Sequence, residues 1–179
     1  PGTGQSGFEG FGRVVAGEVN PSGHLVDTYC NDNSTAPSLV NFYGTQYANA
    51  TEDNNAEWYD FMLDGNKYYN VYSEGIYIGY RYYETRGYTD GEDWYKENAN
   101  VAYPFGYGLS YTTFDWSNFK SSYDAATDSF NVSVDVKNTG SVAGKEVVQV
   151  YFQSPYTDYD KQNKVEKAAV ELCGFGKTE

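Results

Sequence analysis

The 179 residues predict a mixed fold, α+β and mostly β, on three observations. Near the start, Phe8, Phe11, Val14 and Val15 recur at the spacing of one helical face. From Phe114 onward the character becomes that of a β-sandwich: Phe130, Val132, Val134 and Val136 alternate with polar residues, the period of a half-buried strand. Between these regions lie tyrosine-rich, glycine-punctuated blocks separated by long polar loops.

Taken in order, the glycine-rich opening, Pro1 to Gly7, leads into a helix over residues 5–17. Ser6 is its candidate N-cap, with Glu9 completing a capping box, and Gly17 its terminator. The spacing Gly2-x-Gly4-x-x-Gly7 formally matches a dinucleotide fingerprint. No strand precedes it and no βαβ unit with an acidic residue follows, so it reads as a tight strand-to-helix turn. Asn20-Pro21-Ser22-Gly23 is a turn by composition, and His24 to Tyr29 is expected to be extended. Residues 31–71 are polar and irregular, with a short helix expected around Ala56 to Met62 before an Asp64-Gly65-Asn66 turn. Strands are expected over Tyr68 to Tyr72 and Ile76 to Tyr83, then a second polar loop from Thr85 to Val101. Asn138-Thr139-Gly140 is a turn signal. Lys145 to Phe152 is apolar on both faces, as in a central strand, and Ala168 to Phe175 is a further strand. These strands build about half of a seven-stranded immunoglobulin-like sandwich.

The formal charge of −13 excludes a nucleic-acid footprint, which must be cationic. Residues 1–115 hold 5 Lys/Arg and 16 Asp/Glu, and residues 116–179 hold 7 and 9. Sixteen of the 20 tyrosines precede Trp116. These contrasts place a domain boundary there, giving segments 1–115 and 116–179. No apolar run approaches the ~20 residues of a transmembrane helix, and no signal peptide is visible. A first residue Pro1 and a last residue Glu179 just after a candidate strand lead to the expectation of a piece cut from a longer chain. Cys30 and Cys173 form no CxxC pair and are expected as free thiols, with a disulfide as the alternative. Asn33, Asn49 and Asn131 open glycosylation-type triplets, a number near chance in so asparagine-rich a chain.

Several blocks are more particular than β-propensity explains. They are Pro1-Gly2-x-Gly4-Gln5-x-Gly7, Asn20-Pro21-Ser22-Gly23-His24-Leu25 with Asp27-Thr28, Glu74 to Tyr82, and Tyr103 to Thr113. Val134 to Tyr151 follows, with Val136-Lys137-Asn138-Thr139-Gly140 and Ala143 to Tyr151. Together they resemble the C-terminal region of family 3 glycoside hydrolases, the β-glucosidase and β-xylosidase group. The similarity covers most of the chain outside the loops 31–66 and 85–100. His24 stands where the family more often has Arg or Lys, and Val26 where Pro is usual, which puts the contacts of those side chains in question. The resemblance implies that residues 1–115 are the end of an α/β sandwich domain with its connecting segment. It implies that 116–179 open a truncated fibronectin type III-like sandwich.

The resemblance also implies a retaining exo-acting β-glycosidase as the parent, acting on a β-linked oligosaccharide or aryl glycoside. Its partners would be the missing barrel and sandwich portions, with no cofactor and neither nucleic acid nor membrane. Its nucleophile would be an Asp on the barrel, and its acid/base a Glu upstream of Pro1. No residue here is therefore assigned as catalytic or as a metal ligand, and no substrate-binding residue is identified. The alternative is a non-catalytic β-sandwich module for carbohydrate binding or interaction, which would have no use for the glycine-rich loop and its helix.

Glu74 opens the best-matched block beside Ile76 and Ile78 and is read as a structural acid rather than a catalytic one. Arg81 is read as a tether between domains. The fifteen tyrosines from Tyr43 to Tyr111, with Trp58 and Trp94, suit interfaces that are dry at one end and wet at the other. A carbohydrate surface is the alternative. The loop 85–100, with Trp94, Tyr95, Asp90, Glu92 and Asp93, is long enough to suggest function. Its acidic cluster lacks the spacing of an EF-hand and reads as solvated. With His24 the single histidine, catalytic triads and multi-histidine metal sites are excluded.

Overall fold

The computed structural model describes residues 4–39, 69, 71–98 and 101–179. The helix expected around 56–62 and the turn at 64–66 lie outside them. The elements are α1 (Gly7–Val15), β1 (Tyr29–Cys30), a 3₁₀ turn (Asn33–Thr35), α2 (Tyr80–Asp90) and a π-helix (Trp94–Asn98). They continue as β2 (Val101–Tyr103), β3 (Phe114–Asp124), β4 (Ser129–Asn138), β5 (Val147–Phe152), α3 (Asp158–Asn163) and β6 (Glu171–Lys177). Among the described residues the strands form three two-stranded sheets, β1–β2, β3–β4 and β5–β6. The chain divides into two compact units that each draw on separated segments: 1–26 with 106–151 and 172–179, and 27–105 with 152–171.

In the first unit, the helix expected over 5–17 is present as α1. Its capping box is not: Ser6 makes no side-chain cap bond, and only its carbonyl accepts from Glu9 N at 3.1 Å. Gly17 ends the helix at φ +75°, a backbone angle that glycine adopts without strain. The Asn20 block works through a side chain rather than a hydrogen-bonded turn. Asn20 Oδ1 accepts from Tyr111 N at 2.8 Å and Ser110 Oγ at 3.1 Å, while Nδ2 donates to the Ala143 carbonyl at 2.9 Å. One amide thus staples three segments distant in sequence. Tyr111 OH donates to the Val14 carbonyl at 2.8 Å and ties down the last turn of α1.

His24 and Gly108 form an antiparallel bridge, so close that a Cβ on Gly108 would lie 2.8 Å from the Gly23 carbonyl oxygen. The His24 ring, with Cδ2 2.7 Å away, crowds the same space, but the backbone oxygen cannot swing aside. Gly108→Ala is expected to cost roughly 1–3 kcal/mol, the usual penalty of overpacking. This would be read as a lowered thermal midpoint of the complete protein; an unchanged midpoint would refute the close approach.

β3 and β4 pair antiparallel from Phe114↔Asn138 to Asp124↔Ser129, with an irregularity between Ser117 and Lys120. Asn118 sits in it at φ +54°. The expected strand around 130–136 is confirmed as β4, and those around 145–152 and 168–175 appear as β5 and β6. β3 was not foreseen as a strand.

The second unit contains the main correction. Ile76 to Tyr83 is not a strand: residues 71–79 are irregular and Tyr80 begins α2. Of the strand expected over 68–72, the described residues 69, 71 and 72 lie in none. The loop expected from 85 to 101 is instead occupied by α2 and the π-helix. Gly75 and Gly79 both lie at φ +58°, left-handed conformations that interrupt a strand and suit glycine. Past Gly79, the period is helical. Tyr80 meets Phe105 with ring centroids 4.7 Å apart, Tyr83 is 4% exposed, and a Cβ on Gly87 would come 3.0 Å from Tyr95. Arg86 Nη1 donates to Tyr82 OH at 3.0 Å and Nε to Asp90 at 2.6 Å, pairs at the helical i,i+4 spacing. The segment 24–29 is extended only at its ends, in the His24 bridge and in β1.

α3 carries a full capping box. Thr157 Oγ1 accepts from Asp160 N, and Asp160 Oδ2 accepts from Thr157 N at 2.7 Å. Lys167 Nζ also donates to Asp160 Oδ2 at 2.7 Å. The Lys167 ammonium, then the Thr157 amide, hold the Asp160 carboxyl down to about 2. A folded-state value below the unfolded one stabilises at pH above the unfolded value near ~4, and that contribution is lost as pH falls towards about 2. Thr157→Ala is expected to cost about 0.5–2 kcal/mol through the lost cap. Asp160→Asn should flatten the acid limb of the stability curve between about pH 4 and 2; an unaltered limb would disprove the pairing.

Buried apolar side chains are scarce: among the described residues they are Tyr83 and Ala168. The stripe of α1, with Phe8, Phe11 and Val15, is exposed. The register puts Trp116 opposite Val136, and Tyr123 opposite Phe130. Phe130 is 72% exposed, and Phe119 in the irregularity 70%. A sandwich cut after about half its strands should also leave apolar surface around 145–153 and 168–175 uncovered. Tyr151, Phe152 and Phe175 fulfil it, whereas Val147, Val148 and Val150 are half-buried and Ala168 is buried.

Candidate functional site

Within the second unit, a cavity of about 430 Å³ opens between residues 27–38 and 74–83, lined by Asp27, Tyr29, Cys30, Asn33, Glu74 and Tyr83 among others. Its first wall is built locally. Asp27 Oδ1 accepts from Thr28 N at 2.9 Å. Asp32 Oδ1 caps the 3₁₀ turn by accepting from Ser34 N at 2.8 Å, a role for which aspartate suits a turn entry. The Cys30 thiol lies 3.6 Å from Asn33 Oδ1.

The second wall is Glu74, Ile78, Gly79 and Tyr83. Gly79 stands at the head of α2, and a Cβ there would meet Asp27 Oδ1 at 3.7 Å. Burial of Tyr83, then its hydrogen bond to Cys30, push the phenol up to about 12, against a weaker opposing bond from Thr35. The phenol therefore stays neutral at ordinary pH. Glu74 Oε2 is buried and has no hydrogen-bond partner. Arg81 Nε is likewise buried without a partner among the described residues, and leaving such a group unsatisfied costs about 1–3 kcal/mol.

A shallower hollow of about 290 Å³ lies against α2, lined by Glu84, Tyr88, Glu92, Tyr95 and Gln153 among others. Tyr95 OH donates to Glu84 Oε1 at 2.8 Å.

The remaining candidates are distributed as follows. Arg81 lies in the first turn of α2 with Nη2 3.8 Å from Glu171 Oε2, and is not among the cavity's lining residues. Trp94 packs under the Arg86 guanidinium, 4.4 Å from its ring centroid, and stands edge-on to Tyr82. Asp90 accepts from the Thr89 hydroxyl and then from Arg86, which hold its carboxyl below the usual range. Glu92 pairs with Lys96, and its carboxyl is likewise lowered. His24 Nε2 lies 3.2 Å from Glu146 Oε1 and Nδ1 lies 3.3 Å from the Ser22 carbonyl oxygen. Cys30 and Cys173 are both free thiols.

Sequence reasoning singled out Glu74 but not Asp27, Cys30, Asn33 or Tyr83 as its neighbours. The signals available were the Asp32-Asn33-Ser34 turn composition and the paired glycines 75 and 79.

No family model matches the chain. It is 38% identical over 175 residues to a β-glucosidase of Ruminococcus albus, a match covering 98% of this chain and 14% of that protein. The solved β-glucosidase 3B of Thermotoga neapolitana in complex with α-D-glucose superposes with a TM-score of 0.69 at 35% identity, covering 98% of this chain and 19% of the other. The GH3 β-glucosidase of Bifidobacterium adolescentis gives 0.68 at 31%, covering 97% and 20%. The chain thus spans a fifth or less of the length of these relatives. Alignment along nearly all of its own length, with the motifs at residues 20–28, 74–83 and 103–113 inside it, makes it a C-terminal segment of a family 3 glycoside hydrolase.

Proposed function

We propose that the complete polypeptide is a retaining, exo-acting β-glucosidase and that this segment serves it as scaffold, carrying neither catalytic carboxylate. The near end-to-end match to proteins named β-glucosidase carries the reading, and the glucose bound to the Thermotoga neapolitana enzyme agrees with it. Residues 1–115 would close the α/β sandwich domain, and 116–179 would open a fibronectin type III-like domain. The antiparallel β3–β4 pair with one apolar face supports that second assignment. Retaining chemistry needs two carboxyl groups about 5–5.5 Å apart, one keeping a raised pKa to protonate the leaving oxygen. Both are placed in the rest of the polypeptide. Glu74 stays a non-catalytic acid, since its block opens α2 and matches no motif of the family's acid/base.

The test is hydrolysis of an aryl β-glucoside by the complete enzyme, with the anomer formed first followed by NMR. Initial release of β-glucose is expected; inversion, or the absence of turnover, would refute the proposal.

A further inference from the structure

We propose that His24 is a proton-operated clasp: its protonated ring holds the Ser22 carbonyl and the Glu146 carboxylate together, and losing the proton lets one of them go. The inference concerns the first unit alone and does not depend on the β-glucosidase reading.

Two acceptors facing one ring lead to it. His24 Nδ1 lies 3.3 Å from the Ser22 carbonyl oxygen, and Nε2 lies 3.2 Å from Glu146 Oε1. A carbonyl oxygen only accepts, and so does an ionised carboxylate. A neutral imidazole carries a single N–H, so in either tautomer the other nitrogen turns a lone pair toward an oxygen. The imidazolium carries two N–H groups and donates to both.

Neither side is free to drift away. Leu25 N donates to the Tyr107 carbonyl and Gly106 N to the Leu25 carbonyl, both at 2.8 Å, and His24 is bridged to Gly108. On the other side, Glu146 N donates to Thr178 Oγ1 at 2.9 Å, and Glu146 Oε1 accepts from Val147 N at 2.8 Å. The His24 and Glu146 side chains are 19% and 20% exposed, so water replaces a lost partner only in part. The ring meets the Ser22 carbonyl on its own segment, the Gly108 backbone opposite and Glu146 ahead of β5. Among the described residues Glu146 is the one carboxylate within 4.0 Å of it.

Both bonds exist only while the ring carries its proton. The clasp is complete on the acid side of the histidine range, around ~6.5 for a free imidazole, and half-made on the alkaline side. Between about pH 5.5 and 8 an ordinary carboxylate stays ionised, so the proton on the ring is what changes. The link between residues 22–25 and the start of β5 should therefore loosen as the pH rises.

The experiment follows hydrogen exchange of residues 20–25 and 145–148 by mass spectrometry in the complete protein. The ratio of wild type to variant at each pH cancels the intrinsic pH dependence of exchange. The reference is His24→Arg, whose guanidinium stays charged. Relative to it, the wild type should lose about tenfold in protection between about pH 5.5 and 8, the size of one hydrogen bond to a charged group. His24→Gln, which takes up no proton, should be poorly protected throughout. Glu146→Gln can turn its amide N–H₂ toward the neutral ring. It should show no such step, and it replaces His24→Arg as the reference if that variant folds poorly. A ratio that stays constant across this range would overturn the proposal, because a ring that merely fills space does not respond to its proton. An undiminished step in Glu146→Gln would overturn it too, by placing the titration elsewhere.

Discussion

Purified by itself, the 179-residue chain is expected to self-associate and to melt over a broad range without a cooperative transition. The cause is the apolar surface left in water. Phe8 and Phe11 on α1, and Trp116, Phe119, Tyr123 and Phe130 on the β3–β4 pair, are all exposed. Burying a phenylalanine is worth about 1.5–3 kcal/mol, and most of that gain is unrealised here. A two-stranded hairpin is marginal in water without a third strand or a helix against its apolar face. Among the described residues neither β3 nor β4 has a second strand beside it, which adds a template for pairing with other chains, and the uncovered patch marks a missing partner. Light scattering after gel filtration should show oligomers, and circular dichroism a shallow melt. Lengthening the polypeptide by the further strands that the proposed fibronectin type III-like sandwich requires should restore a sharp transition. A monodisperse monomer with a sharp, reversible melt would show the uncovered face to be harmless.

The parts of this fold that could be read from sequence are those whose periodicity is local. The stripe of Phe8, Phe11, Val14 and Val15 specifies α1, and the alternation from Phe130 to Val136 specifies β4. β3 escaped because its irregularity between Ser117 and Lys120 breaks the two-residue period and puts Phe119 out of phase with Trp116. α2 was misread because Ile76, Ile78, Tyr80 and Tyr82 alternate and tyrosine favours strands. The contrary signals were there: two glycines four residues apart, and Tyr80, Tyr83, Glu84 and Gly87 at helical spacing. The capping box expected at Ser6 is absent, while an unforeseen one forms at Thr157.

The Asn20 staple and the cavity belong to another level. Asn20 bonds to residues 90 to 123 positions away. The cavity's two walls are separated by about forty residues of chain. Composition marks the turns that form each wall, but no sequence period brings the walls together.

The largest expected effect is on activity. General acid–base catalysis alone contributes about 10²–10⁴-fold, and covalent catalysis in a retaining glycosidase needs a second carboxylate at about 5–5.5 Å. If, as proposed, other parts of the complete enzyme supply both, this segment has no route to glycosidic cleavage. The complete polypeptide should hydrolyse aryl β-glucosides at rates typical of enzymes, roughly 1–10³ per second. The 179-residue chain should not exceed buffer.

That this segment is scaffold rather than catalyst is tested most directly by assaying the purified 179-residue chain and its Glu74→Gln variant on an aryl β-glucoside. Both are expected to give only the spontaneous rate, whatever the enzyme concentration. Turnover by the unaltered chain that scales with its concentration and disappears in Glu74→Gln would contradict it, and would make Glu74 a catalytic carboxylate.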